Sequence, residues 1–184
     1  TPGISSAASD VYKRQDLTAE LREFPTITFM PITIAGRPTS LKTRYRASGQ
    51  QILRVDDEMT HAVDASAQQT IMETASSVIA NADMLVLSDY DKGCLVKTVI
   101  RQLIGAAKGA DKLIVVDPKV TDLSVYADAD ILTPNLQELS KSAGTKLAQL
   151  DTIGAAATRL AKTQNIGTII TTLSARGILA SSAN

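Results

Sequence analysis

Residues 84–116 read MLVLSDYDKGCLVKTVIRQLIGAAKGADKLIVV: two short apolar runs, Met84 to Leu87 and Leu113 to Val116, on either side of a helical stretch over about residues 95–108. Continuous apolar runs of this length, set apart by helices, belong to a parallel sheet buried on both faces. The alternation continues outward from there. Downstream come a short turn near Leu123–Tyr126, a strand Asp130–Leu132, helices over 135–143 and 152–163, and a strand Thr168–Thr171. Upstream, Ala67, Ile71, Ala75, Val78 and Ile79 recur at helical spacing behind Asp64 or Ser66 as the N-cap, which predicts a helix over 66–81. The fold class expected is α/β, with a mainly parallel sheet covered by helices on both faces.

Before Glu58 the period is two. From Pro25 to Ile34 the β-branched residues predict a strand, interrupted at Pro31, which belongs at an edge or bend. Residues 40–46 and 51–56 flank Ala47-Ser48-Gly49-Gln50, a hairpin spacing in which Gly49 supplies a positive φ. Alternation then sets Lys42, Arg44 and Arg46 on one face. A small β-rich lid over about 26–56 is expected beside an α/β core over about 60–184. Thr1 to Gln15, small, polar and aperiodic, reads as a tail or non-native leader ahead of a domain over 16–184.

Composition narrows the partners. With 184 residues, 44% of them hydrophobic, the chain has material for one core. Nineteen basic residues balance nineteen acidic ones, so no net field holds a nucleic acid or an anionic membrane. At 3% aromatics without Trp there is no stacking platform for single strands. A single cysteine, Cys94, and the lack of an apolar run of roughly 18–20 residues fit a reducing, cytoplasmic setting. The sequence contains no P-loop, no G-x-G-x-x-G, no Cys/His metal cluster and no G-x-S-x-G.

In an open parallel sheet, ligands bind beyond the carboxyl ends of the strands. Those ends here are Ser88-Asp-Tyr-Asp-Lys-Gly93, Asp117-Pro-Lys119, Thr133-Pro-Asn-Leu-Gln-Glu138 and Thr171-Thr-Leu-Ser-Ala-Arg-Gly177. Each admits two readings. Asn135 with Glu138 three residues on is a capping box; it is also a helix start at which Glu138 can hold a hydrated Mg²⁺ while phosphates face the helix N-terminus. Asp89 and Asp117 are turn or N-cap carboxylates, or else ligands of sugar hydroxyls and of Mg²⁺-bound water. Lys42, Arg44 and Arg54, with Arg37 and Arg46, are a solvated strand face, or a local cationic excess shaped for phosphate.

The stretches Arg37-Pro-Thr-Ser-Leu-Lys-Thr-Arg44, Gln50-Gln-Ile-Leu-Arg-Val-Asp56, Leu87-Ser-Asp-Tyr-Asp-Lys-Gly93, Val116-Asp-Pro-Lys119 and Leu132-Thr-Pro-Asn-Leu-Gln-Glu138 together resemble the PfkB/ribokinase family of sugar kinases. Within that family they look like the domain that phosphorylates D-glycero-β-D-manno-heptose 7-phosphate. The resemblance covers about residues 37–184. It implies a ribokinase-like fold and transfer of the ATP γ-phosphoryl group to the anomeric hydroxyl, giving the 1,7-bisphosphate for lipopolysaccharide core synthesis. ATP and Mg²⁺ are the implied cofactors. Asn135, Leu136, Gln137, Glu138, Thr171 and Gly177 would contact ATP, with Glu138 toward the metal. Lys42, Arg44, Arg54, Asp89, Lys92, Asp117 and Lys119 would line the cleft around the sugar phosphate, and a homodimer through the lid is a further expectation. The family's Gly-Gly-Ala-x-Asn segment and its Gly-Ala-Gly-Asp turn, which carries the catalytic base, have no match here. The 184-residue chain alone is therefore expected to be inactive. Another sugar or nucleoside kinase of this fold, a non-catalytic nucleotide- or sugar-binding module and an unrelated flavodoxin-like domain are the alternatives.

Overall fold

The structure is a computed structural model that describes residues 19–21 and 23–183. The expected tail over 1–15 lies outside them. The chain divides into two compact units, one of residues up to Ile71 together with Lys92–Cys94, the other of Met72–Asp91 and Leu95 onward.

The first unit holds the hairpin. Strand β1 (Leu41–Ala47) pairs antiparallel with β2 (Gln50–Asp57), in a register that sets Lys42 opposite Asp56 and Arg44 opposite Arg54. Ser48 and Gly49 form the connection, with φ of 50° and 80°. Positive φ at both central residues is the turn whose twist matches that of paired strands. One face carries Lys42, Arg44 and Arg54; the other carries Leu41, Tyr45, Leu53 and Val55, all exposed.

The strand expected over 25–34 does not form: these residues run as turns and irregular backbone. A strand is stable only when a neighbour takes its N–H and C=O groups, and among the described residues none pairs with this segment, in which Pro31 also lacks a donor. The β-structure of this unit is therefore β1 and β2 alone among the described residues.

What fastens the unit is Arg37. Its guanidinium is buried and donates to the carbonyls of Met59 (3.1 Å), His61 (2.9 Å) and Lys92. Next to it, Gly93 has φ +76° and packs so closely that a Cβ would stand 2.0 Å from the His61 carbonyl oxygen. Its own carbonyl accepts the Val63 N–H at 2.9 Å. Helix α1 (Ala65–Ile79) follows, capped by Asp64, whose carboxylate accepts from Ala67 N at 2.8 Å.

The second unit is built on a five-stranded sheet in the order β3 (Met84–Ser88), β4 (Leu113–Asp117), β5 (Ile131–Leu132), β6 (Thr168–Thr172), β7 (Ile178–Ser182). All neighbours are parallel except β7, which returns antiparallel to β6. Helix α2 (Lys97–Gly109) joins β3 to β4 and buries Val99, Ile100, Leu103, Ile104 and Ala107. Helices α3 (Leu136–Ala143) and α4 (Leu150–Thr163) join β5 to β6. Period-2 alternation sends Leu87, Ile114, Val116, Leu132 and Ile169 into the core, while Val86 (58% exposed) and Ile178 (70%) lie on the opposite side of their strands. Strand β7 has no counterpart in the sequence reading, since Ile-Leu-Ala-Ser-Ser is a weak β signal and takes its shape from pairing with β6. Among the described residues no helix is long and apolar enough to cross a membrane.

Candidate functional site

The carboxyl ends of β4 and β5 bring Asp117, Lys119, Asn135 and Glu138 together. Asn135 is the N-cap of α3: its Oδ1 accepts from Glu138 N at 2.9 Å, and Glu138 Oε2 accepts from Asn135 N at 3.0 Å. The capping box is therefore real, and it does not exhaust the carboxylate. Glu138 Oε1 also accepts from Lys119 Nζ at 3.0 Å. That contact raises the Lys119 pKa, the hydrogen bond and the Coulombic attraction of Glu138 being the two leading causes. A shallow recess here is lined by Lys119, Val120, Thr121, Asn135, Gln137 and Lys141, with Glu138 in its wall. Lys119 beside the start of α3 suits an anion, while Lys141 lies in the last turn of the same helix.

Asp117 is the last residue of β4. Its pKa is raised, first because burial penalises the charge and next because Glu138 repels it, with Thr133 Oγ1 at 3.4 Å opposing the shift. A carboxylate whose ionisation a neighbouring carboxylate disfavours is a donor that a divalent cation relieves. Mg²⁺, which keeps most of its waters and takes one or two carboxylates besides phosphate oxygens, fits Asp117 and Glu138. No cluster of three or more His, Cys, Asp or Glu side chains able to hold a metal occurs among the described residues. A fully protein-caged ion is not what this arrangement suits.

Other expected residues fall elsewhere. Asp89 is only 4% exposed and uses both oxygens internally: Oδ1 accepts from Asp91 N at 2.8 Å and Oδ2 from the Tyr126 hydroxyl at 2.5 Å. The turn reading of Asp89 is the one its geometry follows, and it does not line an open cleft. Thr171 has no exposed surface, and among the described residues its hydroxyl has no partner; its side chain faces the core. The sequence placed it at a strand end, but alternation turns it inward. Gly177 lies on the surface with φ +87° and closes the turn into β7. Leu136 is half-buried and Gln137 exposed at the first turn of α3.

In the first unit, Lys42 stands 3.8 Å from Asp56 and 3.9 Å from Glu58, Arg54 Nε stands 2.9 Å from Asp56, and Lys92 pairs with Glu58. Arg44, directly across from Arg54, has no ion pair among the described residues. Like charges placed directly opposite in a ladder are destabilising unless an anion lies between them. Sequence reasoning missed the roles of Tyr126 and Arg37, which rest on partners 37 and up to 55 residues away along the chain. A lone tyrosine in an apolar turn and an arginine before Pro38 give no local sign of either role.

Residues 26–184 match the pfkB family carbohydrate kinase model. Among curated proteins, Bifunctional protein HldE of Acidiphilium cryptum is 35% identical over 173 residues, covering 94% of this chain and 36% of the relative. The protein of the same name from Paramagnetospirillum magneticum is 33% identical over 177 residues, covering 96% and 36%. The chain thus spans about a third of the length of these relatives. Among solved structures, phosphofructokinase-2 from Escherichia coli in complex with potassium superposes with a TM-score of 0.77 at 20% identity, covering 96% of this chain and 57% of that one. Ribokinase from Giardia lamblia gives 0.71 at 20% identity, covering 97% and 54%.

Proposed function

Because this chain belongs to the pfkB family of carbohydrate kinases and has a ribokinase-like α/β fold, we propose that it carries the nucleotide- and acceptor-binding residues of an ATP-dependent sugar-phosphate kinase. The acceptor we assign is D-glycero-β-D-manno-heptose 7-phosphate, phosphorylated at its anomeric hydroxyl to the 1,7-bisphosphate used in lipopolysaccharide core synthesis. Relatives named HldE support the kinase class, and the sequence resemblance supports the heptose.

The roles follow from charge and geometry. Phosphoryl transfer is catalysed by positioning and by electrostatic stabilisation of the transferring oxygens. Lys119 and the start of α3 at Asn135–Glu138 receive the ATP phosphates, and Asp117 with Glu138 holds Mg²⁺. When bound, that ion neutralises charge on the phosphate oxygens. Lys42, Arg44 and Arg54 take the phosphate already on the sugar, and Lys92 is kept in its place by Glu58 and by Arg37 on its carbonyl. No residue here is assigned to take the proton of the acceptor hydroxyl. The exposed apolar face of the hairpin, Leu41, Tyr45, Leu53 and Val55, is the surface we assign to a homodimer, and the cytoplasm is the compartment that supplies both substrates.

The observation that carries the acceptor reading is Arg44 facing Arg54 across the ladder with no anion on Arg44 among the described residues. Two guanidinium groups so placed match a dianionic phosphate bidentately. In the full-length protein, Arg44→Ala should raise the KM for heptose 7-phosphate by at least about tenfold, the scale of one charge-assisted contact, and leave the KM for ATP near its parent value. Equal change in both constants would mean a general structural role for Arg44. Turnover of other sugar phosphates in preference to the heptose would replace the acceptor and keep the kinase.

A further inference from the structure

Tyr126 ends the 3₁₀ turn Leu123–Tyr126, which is fixed at its start by Asp122 accepting from Ser124 N at 3.0 Å. The ring is completely buried, yet its hydroxyl makes three hydrogen bonds. It donates to Asp89 Oδ2 at 2.5 Å and accepts from the backbone N–H groups of Lys119 (3.3 Å) and Val120 (3.4 Å). Because the hydroxyl hydrogen points to Asp89, the oxygen's lone pairs are left to the two amides. Burial, and then the hydrogen bond and charge of Asp89, push the phenol's pKa up, so the hydroxyl stays a donor to Asp89 throughout the working range of pH.

The loop held this way is the wall of the recess at the start of α3, since Lys119 and Val120 both line it. Nothing else in the described hydrogen-bond network takes those two N–H groups. Were the hydroxyl absent, they would be left without an acceptor beside a buried ring, and the loop would gain by rotating them toward water. That rotation would carry Lys119 Nζ away from Glu138 Oε1. We propose that Tyr126, oriented by Asp89, is a positioning residue that sets the Lys119–Val120 backbone and so keeps the Lys119 ammonium and the Glu138 carboxylate in register for the nucleotide's phosphates. The inference rests on the kinase reading for the identity of the ligand; the relay itself does not.

The test uses the full-length protein with Tyr126→Phe and Asp89→Asn, and with Ile153→Val as a control in the buried face of α4, away from the loop. Hydrogen exchange at the Lys119 and Val120 amides, Mg·ATP affinity by calorimetry and melting temperature are measured on each. Tyr126→Phe should speed exchange at both amides and weaken Mg·ATP binding about tenfold, the scale of losing one or two hydrogen bonds. Asp89→Asn should do the same to a smaller degree. Ile153→Val should lower the melting temperature without changing affinity. Unchanged affinity in whichever of the two relay variants folds, or equal weakening by Ile153→Val, would overturn the positioning role. Parent protein that binds no Mg·ATP, while Tyr126→Phe still speeds exchange at both amides, would overturn the kinase reading and the nucleotide part of this one, leaving the relay as a loop anchor.

Discussion

Lys119 Nζ and Glu138 Oε1 lie 3.0 Å apart, and the second oxygen of that same carboxylate caps α3 through the Asn135 N–H. One side chain therefore serves a helix and a cation at once. The Asn135/Glu138 spacing admitted both a capping box and a functional carboxylate, and the geometry leaves each oxygen with its own task.

This division makes Glu138→Gln informative. The amide oxygen of Gln can still accept from Asn135 N, so α3 should persist by circular dichroism. The charge that raises the Lys119 pKa is gone, so that pKa should fall toward its ordinary value. In the full-length protein, turnover should drop by at least about 10²-fold, equivalent to about 2.7 kcal/mol of transition-state stabilisation. Steady-state kinetics across a Mg²⁺ titration checks this. Retained activity with an unaltered Mg²⁺ requirement would remove Glu138 from the metal.

Asp117 supplies a pH dependence of unusual sign for a carboxylate. Its folded pKa lies above the ordinary 3.8, so between those two values the folded protein keeps a proton that the unfolded chain has released. Stability then falls as pH rises through that window and is level above it. Asp117→Asn should flatten that fall and give a variant more stable than the parent above the window. Melting temperature followed from pH 3 to 8 reads it, and added Mg²⁺ should stabilise the parent more than the variant. A variant less stable than the parent at neutral pH would show that Asp117 is not electrostatically penalised.

At position 93 both backbone and space demand glycine. With φ +76° and a virtual Cβ 2.0 Å from the His61 carbonyl oxygen, Gly93→Ala has to displace the 61–63 segment that Arg37 and Gly93 hold. A loss of more than about 1 kcal/mol is expected from the backbone conformation alone. Thermal or denaturant unfolding measures it. An unchanged midpoint would mean the segment shifts at no cost.

The sheet was legible because its strands are short apolar runs that signal themselves: Met84–Leu87, Leu113–Val116 and Thr168–Thr171 all form strands, and Gly49 marked the hairpin turn. Asp64 was legible as a cap for the same local reason. Residues 25–34 misled because β propensity describes fit to a pleated surface, and no surface receives them among the described residues. Thr171 misled by one position, since neighbouring residues on a strand face opposite ways: Thr172 is exposed where Thr171 is sealed. Tyr126 and Arg37 were illegible in principle, as a hydroxyl or guanidinium announces its partners only once distant segments have met.

The strand order itself sets the spacing of the strand ends. From β3 through β6 the sheet advances one neighbour at a time without doubling back, so the strand ends form a file rather than the crevice that a reversal of order would open. With neighbouring strands about 4.8 Å apart, that file measures about 14 Å from the end of β3 to the end of β6. It is a ruler whose marks are in chain order: Ser88, Asp117, Leu132, Thr172. On the kinase reading proposed above, a lone sugar ring would be too short to touch both ends, whereas a molecule with a phosphate chain would be long enough, its two termini told apart by which strand each one reaches.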